Sequence, residues 1–268
     1  CRDAGVDVIE LSMDEAPLRE LDWHETARLA AETGVGIWSI HLPFRGITPL
    51  DPAALSAEVR AHTLACFTEF MQRAAEAGTR VAVVHPSLEP TAPAERAERI
   101  EYSNESLARL ADAAAACGMV VAVEDLPRTC LANTAEELFE LLSADARLRV
   151  TFDVNHLLYG THERFVELLG EKIVTTHISD YDFKNERHWL PGEGKIDWLR
   201  LTALLENAGY AGPWLYELSL DAPDTIRRPR LLTLADLREN FDTIASGHAP
   251  APFGTPDEAL CLAKAYLK

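Results

Sequence analysis

The stretch Val150–Gly160, "VTFDVNHLLYG", decides how this chain reads. It begins as a buried strand would, with apolar and β-branched residues. Asp153 then ends the run, and His156 follows three positions on. A carboxylate is a poor strand residue and costs free energy to bury unpaired. One such ending is usually a cap or a turn. Here the same event recurs along the chain.

Seven short apolar runs read as strands: "VDVIELS" (Val6–Ser12), "GIWSIHLPF" (Gly36–Phe44), "RVAVVHPS" (Arg80–Ser87), "MVVAVEDL" (Met119–Leu126), "RVTFDVNH" (Arg149–His156), "KIVTTHISD" (Lys172–Asp180) and "PWLYELSL" (Pro213–Leu220). Their Val/Ile/Leu content suits strands covered on both faces. Helical periodicity fills the gaps. It spans Ser56–Ala77 before Gly78, Glu95–Cys117 before Gly118, "AEELFELL" after Asn133 and Thr134, Leu199–Ala208 before Gly209, and Leu234–Ala245 before Gly247. Glycine just past a helix and Ser/Thr/Asn just before one are the usual caps.

Alternating strands and helices predict a parallel sheet with helices outside. An open doubly wound sheet and a (β/α)8 TIM barrel both satisfy this. No glycine-rich fingerprint follows an early strand, which weakens the dinucleotide-binding version. Seven strands are one short of a barrel, and "CRDAG" (Cys1–Gly5) reads as a helix end running into a strand, so the first strand is expected upstream of Cys1. Residues 1–268 are expected to form one domain, with 247–268 as a C-terminal extension packed on it, its Asp257–Lys268 part helical, after the Pro-rich "GHAPAPFGTP".

In a parallel barrel all C-terminal strand ends meet at one mouth, where active sites sit. The residues there are His41, His85, Glu124, Asp153 with His156, His177 with Asp180, and Glu217, with Glu10 close by. Any one of these alone is more often a satisfied core histidine or a cap. Together they form a crowd of carboxylates that needs a cation to balance it, and histidine among them completes a usual divalent-metal set. Asp153 therefore reads as a metal ligand.

The chain has a formal net charge of −18 and is 47% hydrophobic. Strong acidity disfavours nucleic acid, whose non-specific affinity comes from neutralised phosphates. The basic cluster "RRPR" (Arg227–Arg230) reads as a solvated loop. No apolar run approaches the ~18 residues of a membrane span. Five scattered cysteines without a CxxC suggest reduced thiols in a cytoplasm. Cys66 and Cys117 fall on apolar helix faces, and His24, His62, His162 and His248 read as surface residues.

The motifs "FDVNH", "HISD" followed by "ERHWLPGEGKIDW", His85–Pro86, "VEDLP" and "YELS" resemble those of the xylose isomerase-like TIM-barrel superfamily, over nearly the whole chain. That superfamily holds sugar phosphate isomerases and epimerases, ketose 3-epimerases, inosose dehydratases and metal-dependent apurinic-site endonucleases. The run "PGEGKIDW" (Pro191–Trp198) is the most telling, because no folding requirement for it is evident from sequence. The resemblance to the epimerase branch implies one divalent metal held by Glu124, Asp153, His177 and Glu217, with Mn²⁺ favoured over Mg²⁺, Co²⁺ or Zn²⁺. It implies Glu124 and Glu217 as catalytic groups that remove and return a proton through a metal-stabilised enediolate. His156 and His188 would contact substrate hydroxyls.

The endonuclease branch uses up to three Zn²⁺. For it the chain offers His41, His85 and His156, and Glu186 with His188 where that branch has Asp-x-His. Glu186 is one methylene longer than the expected ligand. The net charge and short mouth loops favour an isomerase or epimerase of a small polyhydroxylated substrate: a sugar, a sugar phosphate or an inosose. A dehydratase using the same metal site and a multi-zinc hydrolase are the alternatives. The segment Tyr181–Lys195 is long enough to close over such a substrate. Trp38 and Trp189 could stack on a sugar ring, and Arg128, Lys184 and Arg187 could meet a phosphate. Glu10 and Asp180 would orient ligands. Family members often pair, so a homodimer or higher homo-oligomer is compatible with the resemblance.

Overall fold

Val81–Val84 is apolar and buried at every position, as a strand covered on both faces must be. A computed structural model of the chain describes residues 1–46 and 48–266. In chain order it contains β1 (Val8–Ser12), α1 (Glu15–Glu20), α2 (Trp23–Thr33), β2 (Gly36–His41), α3 (Ala57–Glu76), β3 (Val81–Val84), α4 (Arg96–Ala116), β4 (Val120–Glu124), α5 (Ala135–Leu141), β5 (Arg149–Asp153), α6 (His162–Leu169), β6 (Ile173–Ile178), α7 (Trp198–Asn207), β7 (Trp214–Tyr216), β8 (Ile226–Arg227), α8 (Leu234–Ala245), β9 (Thr255–Pro256) and α9 (Glu258–Ala263).

Strands β1 to β7 pair in sequence order, every pair parallel. They form a nearly closed barrel with the helices outside it. The core lies between the strands and this helical layer, where Phe67, Phe70 and Met71 of α3 and Leu107 and Leu110 of α4 belong to one cluster with Ile40, Val84, Val123 and Phe152. Helix starts are held by the predicted caps: Ser56 Oγ accepts from Val59 N, and Thr134 Oγ1 from Glu137 N. Thr233 and Asp236 add a reciprocal capping box at α8.

The sheet has two free edges, β1 and β7. A groove of about 590 Å³ runs between them, lined among others by Val8, Glu10, Trp38, Trp214 and Glu217. This seam is the position the seven strands leave open, and it is where an eighth strand belongs in a (β/α)8 closure. Trp38 is the extra residue where the β1–β2 register shifts, between the pairs Ile9–Ile37 and Glu10–Ser39.

Several boundaries differ from the sequence expectation. β3, β4, β6 and β7 are trimmed at both ends, β2 and β5 at their C-terminal ends, where the residues after the ladders turn into mouth loops, and β1 only at its N-terminal end. Helices α1, α2 and α6 were not anticipated. Pro17 sits in the first turn of α1, where its missing N–H breaks no intrahelical bond, so the "breaker" lies inside a helix. The expected Asp257–Lys268 helix is the six-residue α9, and its last two positions lie outside the described residues. His162 is buried, with Nε2 2.8 Å from the Val154 carbonyl, and is not a surface residue. "RRPR" is not wholly solvated either: the Arg228 side chain is fully buried on Glu193, at 2.8 and 3.0 Å.

The "PGEGKIDW" run does have a folding requirement. The Asp180 carboxylate accepts from the backbone N–H of Tyr181, Gly192 and Ile196 and from the Trp198 indole, at 2.8–3.1 Å. A Cβ at Gly194 would lie 2.2 Å from Asp180 Oδ1 and 2.4 Å from the Tyr181 carbonyl. Glu193 takes Arg228, and Asp197 caps α7. Gly194→Ala is therefore expected to lower stability in urea denaturation by about 1–3 kcal/mol. Gly36→Ala, whose Cβ would meet only ordinary contacts, should change it by less than roughly 0.5 kcal/mol.

Candidate metal and active site at the barrel mouth

The mouth is organised by Glu124, the last residue of β4, which is 1% exposed. Its Oε2 lies 3.1 Å from His41 Nε2 at the end of β2 and 3.1 Å from His85 Nε2 just past β3. Its Oε1 lies 3.0 Å from His177 Nδ1 on β6. His177 Nδ1 is also 3.2 Å from Glu217 Oε2 and 4.0 Å from Asp153 Oδ2. The other ring nitrogen stands 3.1 Å from Glu10 Oε1, and Glu10 Oε2 accepts from Ser39. Glu10 thus stands against the His177 ring, the position from which it would orient a ligand. Asp180 does not share that role, since it holds the loop that follows it.

Three neighbouring groups of ligand-type atoms result, each drawn together within 4.8 Å: Glu124/Asp153/His177/Glu217, His41/His85/Glu124, and His156/Glu186/His188. Glu124 belongs to two of them. His156 Nε2 links the first and third, 3.2 Å from Asp153 Oδ2 and 3.3 Å from Glu186 Oε2. All of the proposed ligands therefore lie at one mouth, as the strand-end pattern requires.

Electrostatics set the protonation. Burial would raise the Glu124 carboxyl, but His177 and His85 hold it well below the usual carboxylate range. Burial pushes Asp153 well above that range, aided by Glu217 and Glu124 and opposed by His156 and His177. Glu186 is half-buried, and against that desolvation His156 and Arg128 hold it down to about 2. Burial opposes protonation of His156, but Asp153, Glu186 and Glu124 raise it well above its ordinary value. Protons thus carry the positive charge that a cation would otherwise bring.

The donor set fits a divalent cation. Asp153 Oδ2 and Glu217 Oε2 are shielded from water and make no well-aligned hydrogen bond, although His156 Nε2 and His177 Nδ1 each stand 3.2 Å from one of them. Unpaired buried oxygens of this kind are costly unless something binds them. Octahedral ligands at ~2.1 Å from an ion such as Mg²⁺ stand about 3 Å apart, close to the spacing around His177.

Other expected residues lie elsewhere. Arg187 is not free for substrate: it is buried, pairs with Asp182 at 2.9 Å and donates to the Cys261 carbonyl at 2.8 Å. Lys184 is exposed, and it is its carbonyl that is engaged, accepting from Tyr266 N. Trp189 is 1% exposed and donates to Thr225, so no sugar can stack on it. The Tyr181–Lys195 segment is pinned rather than free to close, with Asp180 and Trp189 exchanging backbone bonds at 2.7 and 3.0 Å. Trp38 faces the β1–β7 groove shared with Glu10, His177 and Glu217. His188 Nδ1 sits 3.1 Å from the Glu217 carbonyl, on backbone with φ 52°.

Sequence inspection missed three participants. Asp125 is buried, accepts from Asp153 N at 2.8 Å and is pushed up to about 8 by burial. Asn155 positions Arg187 N. Phe44 stacks on His85 at 4.5 Å. A second carboxylate beside Glu124 in "VEDLP" was the available signal for Asp125.

The family model for the xylose isomerase-like TIM barrel matches residues 1–238. The chain belongs to this family. Among curated relatives of this xylose isomerase-like barrel, an uncharacterized protein of Methanocaldococcus jannaschii is 31% identical, over 65% of this chain and 61% of its own length. The L-ribulose-5-phosphate 3-epimerase of Salmonella paratyphi A is 28% identical, over 80% of this chain and 78% of its own length. Among solved structures, a D-tagatose 3-epimerase-like protein superposes with a TM-score of 0.74 at 24% identity, over 90% of each chain. The 3-keto-D-glucoside 4-epimerase from E. coli gives 0.72 at 22%, over 91% of each. At these identities the two structures speak for the fold.

Mn²⁺ at ~100 times its dissociation constant should stabilise the protein by about 2.7 kcal/mol, read as a rise in Tm. Asp153→Asn, a neutral mimic of the protonated acid, should fold like the parent and lose that rise. A full rise in Asp153→Asn would remove Asp153 from the ligand set.

Proposed function

We propose that this barrel is a divalent-metal-dependent epimerase or isomerase of a small polyhydroxylated carbonyl compound: a sugar, a sugar phosphate or an inosose. The observation that carries this reading is the convergence of Glu124, Asp153, His177 and Glu217, with two water-shielded carboxylate oxygens that make no well-aligned hydrogen bond. Relatives named as epimerases of L-ribulose 5-phosphate and of ketoses support it.

Glu124, Asp153, His177 and Glu217 would hold the ion, with Mn²⁺ favoured. When bound, it would supply Lewis-acid polarisation of the substrate carbonyl. Glu124 and Glu217 reach the site from strands three apart in the sheet and meet at His177 Nδ1, at 3.0 and 3.2 Å. One takes the proton from the carbon beside the carbonyl, and the other returns a proton to the opposite face. Glu217 is half-buried, whereas Glu124 is 1% exposed, so Glu217 is the more open of the two. His188, with Nδ1 on the Glu217 carbonyl, would offer Nε2 to a substrate hydroxyl, whereas both His156 nitrogens are engaged, Nδ1 by the Asp125 carbonyl and Nε2 by Asp153 and Glu186. Trp38 lines the groove on the same side, and its indole N–H has no partner.

A hydrolase of the apurinic-endonuclease type, with up to three Zn²⁺, is the second reading. The three adjoining ligand groups favour it. Against it, the Arg128 guanidinium stands 2.8 Å from Glu186, placing a fixed cation at the third group. The net charge of −18 also opposes a DNA backbone.

Solvent deuterium exchange separates the two. Metal-loaded protein should exchange the C–H beside the carbonyl of a ketose, with or without phosphate, or of an inosose. Glu217→Gln should slow this by ~10²–10⁴. Cleavage of an abasic-site oligonucleotide, with no exchange across that substrate panel, would instead establish the hydrolase.

A further inference from the structure

A fourth group of ligand-type atoms lies away from the mouth and shares no residue with it. Glu15 opens α1, while His62 and Cys66 stand one turn apart on α3, so both project from the same helix face. Cys66 Sγ is 3.5 Å from His62 Nε2 and 3.8 Å from Glu15 Oε1. All three ligand atoms fall within 4.8 Å of one another. Glu15 and Cys66 are buried, and His62 is half-buried at the outer side, which leaves a route from solvent.

The spacing has chemical meaning. Zinc takes thiolate sulfur at ~2.3 Å and imidazole nitrogen or carboxylate oxygen at about 2.0–2.2 Å, in tetrahedral geometry. Two such ligands then stand about 3.3–3.6 Å apart, and the sulfur's observed distances to nitrogen and oxygen lie close to this. The carboxylate is also held in place by its surroundings. Glu15 N donates to the Arg45 carbonyl at 3.1 Å, and a Cβ at Gly46 would lie 2.3 Å from Glu15 Oε2, so the loop passes the carboxylate with no room for a side chain.

A cationic group already stands at this cluster. Arg19 Nε is 2.9 Å from Glu15 Oε1, and its Nη2 is 3.0 Å from Cys66 Sγ. A carboxylate–arginine pair alone would need neither the thiol nor the imidazole. Arg19 has a second anchor, since its Nη1 holds Glu69 at 2.9 Å on the surface side. The guanidinium can therefore leave the cluster without losing every partner.

We propose that Glu15, His62 and Cys66 form a thiolate-containing site for zinc or another soft divalent cation, with Arg19 as the competing internal cation. Binding expels the Cys66 thiol proton to solvent, turns Arg19 toward Glu69 and ties α1 to α3. Three protein ligands leave a fourth position for water. The mouth groups contain no cysteine, so a metal–thiolate signal that depends on Cys66 reports this site and is independent of the epimerase reading.

The test is titration with Cd²⁺, followed by the ultraviolet cadmium–thiolate charge-transfer band, in a Cys1→Ser background that removes the exposed N-terminal thiol. One equivalent of thiolate-bound cadmium is expected. Cys66→Ser should abolish the band, and His62→Ala should weaken binding by about tenfold or more. Arg19→Gln should tighten it by a similar factor, because the competing cation is gone. His62 and Arg19 are both partly exposed, so these two variants keep the test alive where Cys66→Ser fails to fold. No band, a band that survives Cys66→Ser, or an unchanged affinity in both His62→Ala and Arg19→Gln would overturn the proposal.

Discussion

Glu124 holds three imidazoles on two oxygens, at 3.0–3.1 Å, in a nearly dry site. An isolated buried carboxylate would take a proton, but these histidines keep this one ionised. The arrangement needs β2, β3, β4 and β6 to end at the same level, which a parallel barrel supplies without special loops. Asp153 and Glu217 then face a region already carrying negative charge. Burial and these charges push the Asp153 carboxyl well above its usual range, and Glu217 Oε2 makes no well-aligned hydrogen bond. Such a site stores a demand for positive charge, and a divalent cation meets it with one particle in place of several protons.

The rest of the mouth keeps that geometry rigid. Asp180 gathers four N–H donors from the loop behind β6, so the segment carrying Glu186 and His188 starts from a fixed point. Arg187 then fastens the same segment to the C-terminal region through Asp182 and the Cys261 carbonyl. The two residues flanking Arg187 face the metal groups, while Arg187 faces away and is consumed as a tie. Arg128 likewise bridges Glu89 and Glu186. Cations near this site serve its carboxylates.

The barrel and the crowd of polar residues at its mouth were legible because both follow from strand periodicity. Apolar runs mark β1 to β7, and the polar residue closing each run marks the mouth. What sequence concealed depends on contacts between distant segments. Arg187 and Lys184 looked equivalent in "DFKNERHW", yet one is buried on Asp182 and the other is exposed. "PGEGKIDW" looked free of folding demands because its partner, Asp180, precedes it by a dozen residues. Pro17 hid α1, and the burial of His162 depends on the Val154 carbonyl. Glu15, His62 and Cys66 come together only when α1 packs beside α3.

The most direct test of the central claim is the position of bound manganese, read by anomalous diffraction from crystals of the metal-loaded protein. The account predicts one full-occupancy ion among Glu124, Asp153, His177 and Glu217, touching Asp153 Oδ2 and Glu217 Oε2. Manganese seated only on His41 and His85, or only on His156, Glu186 and His188, would contradict it, as would a mouth that takes up no ion.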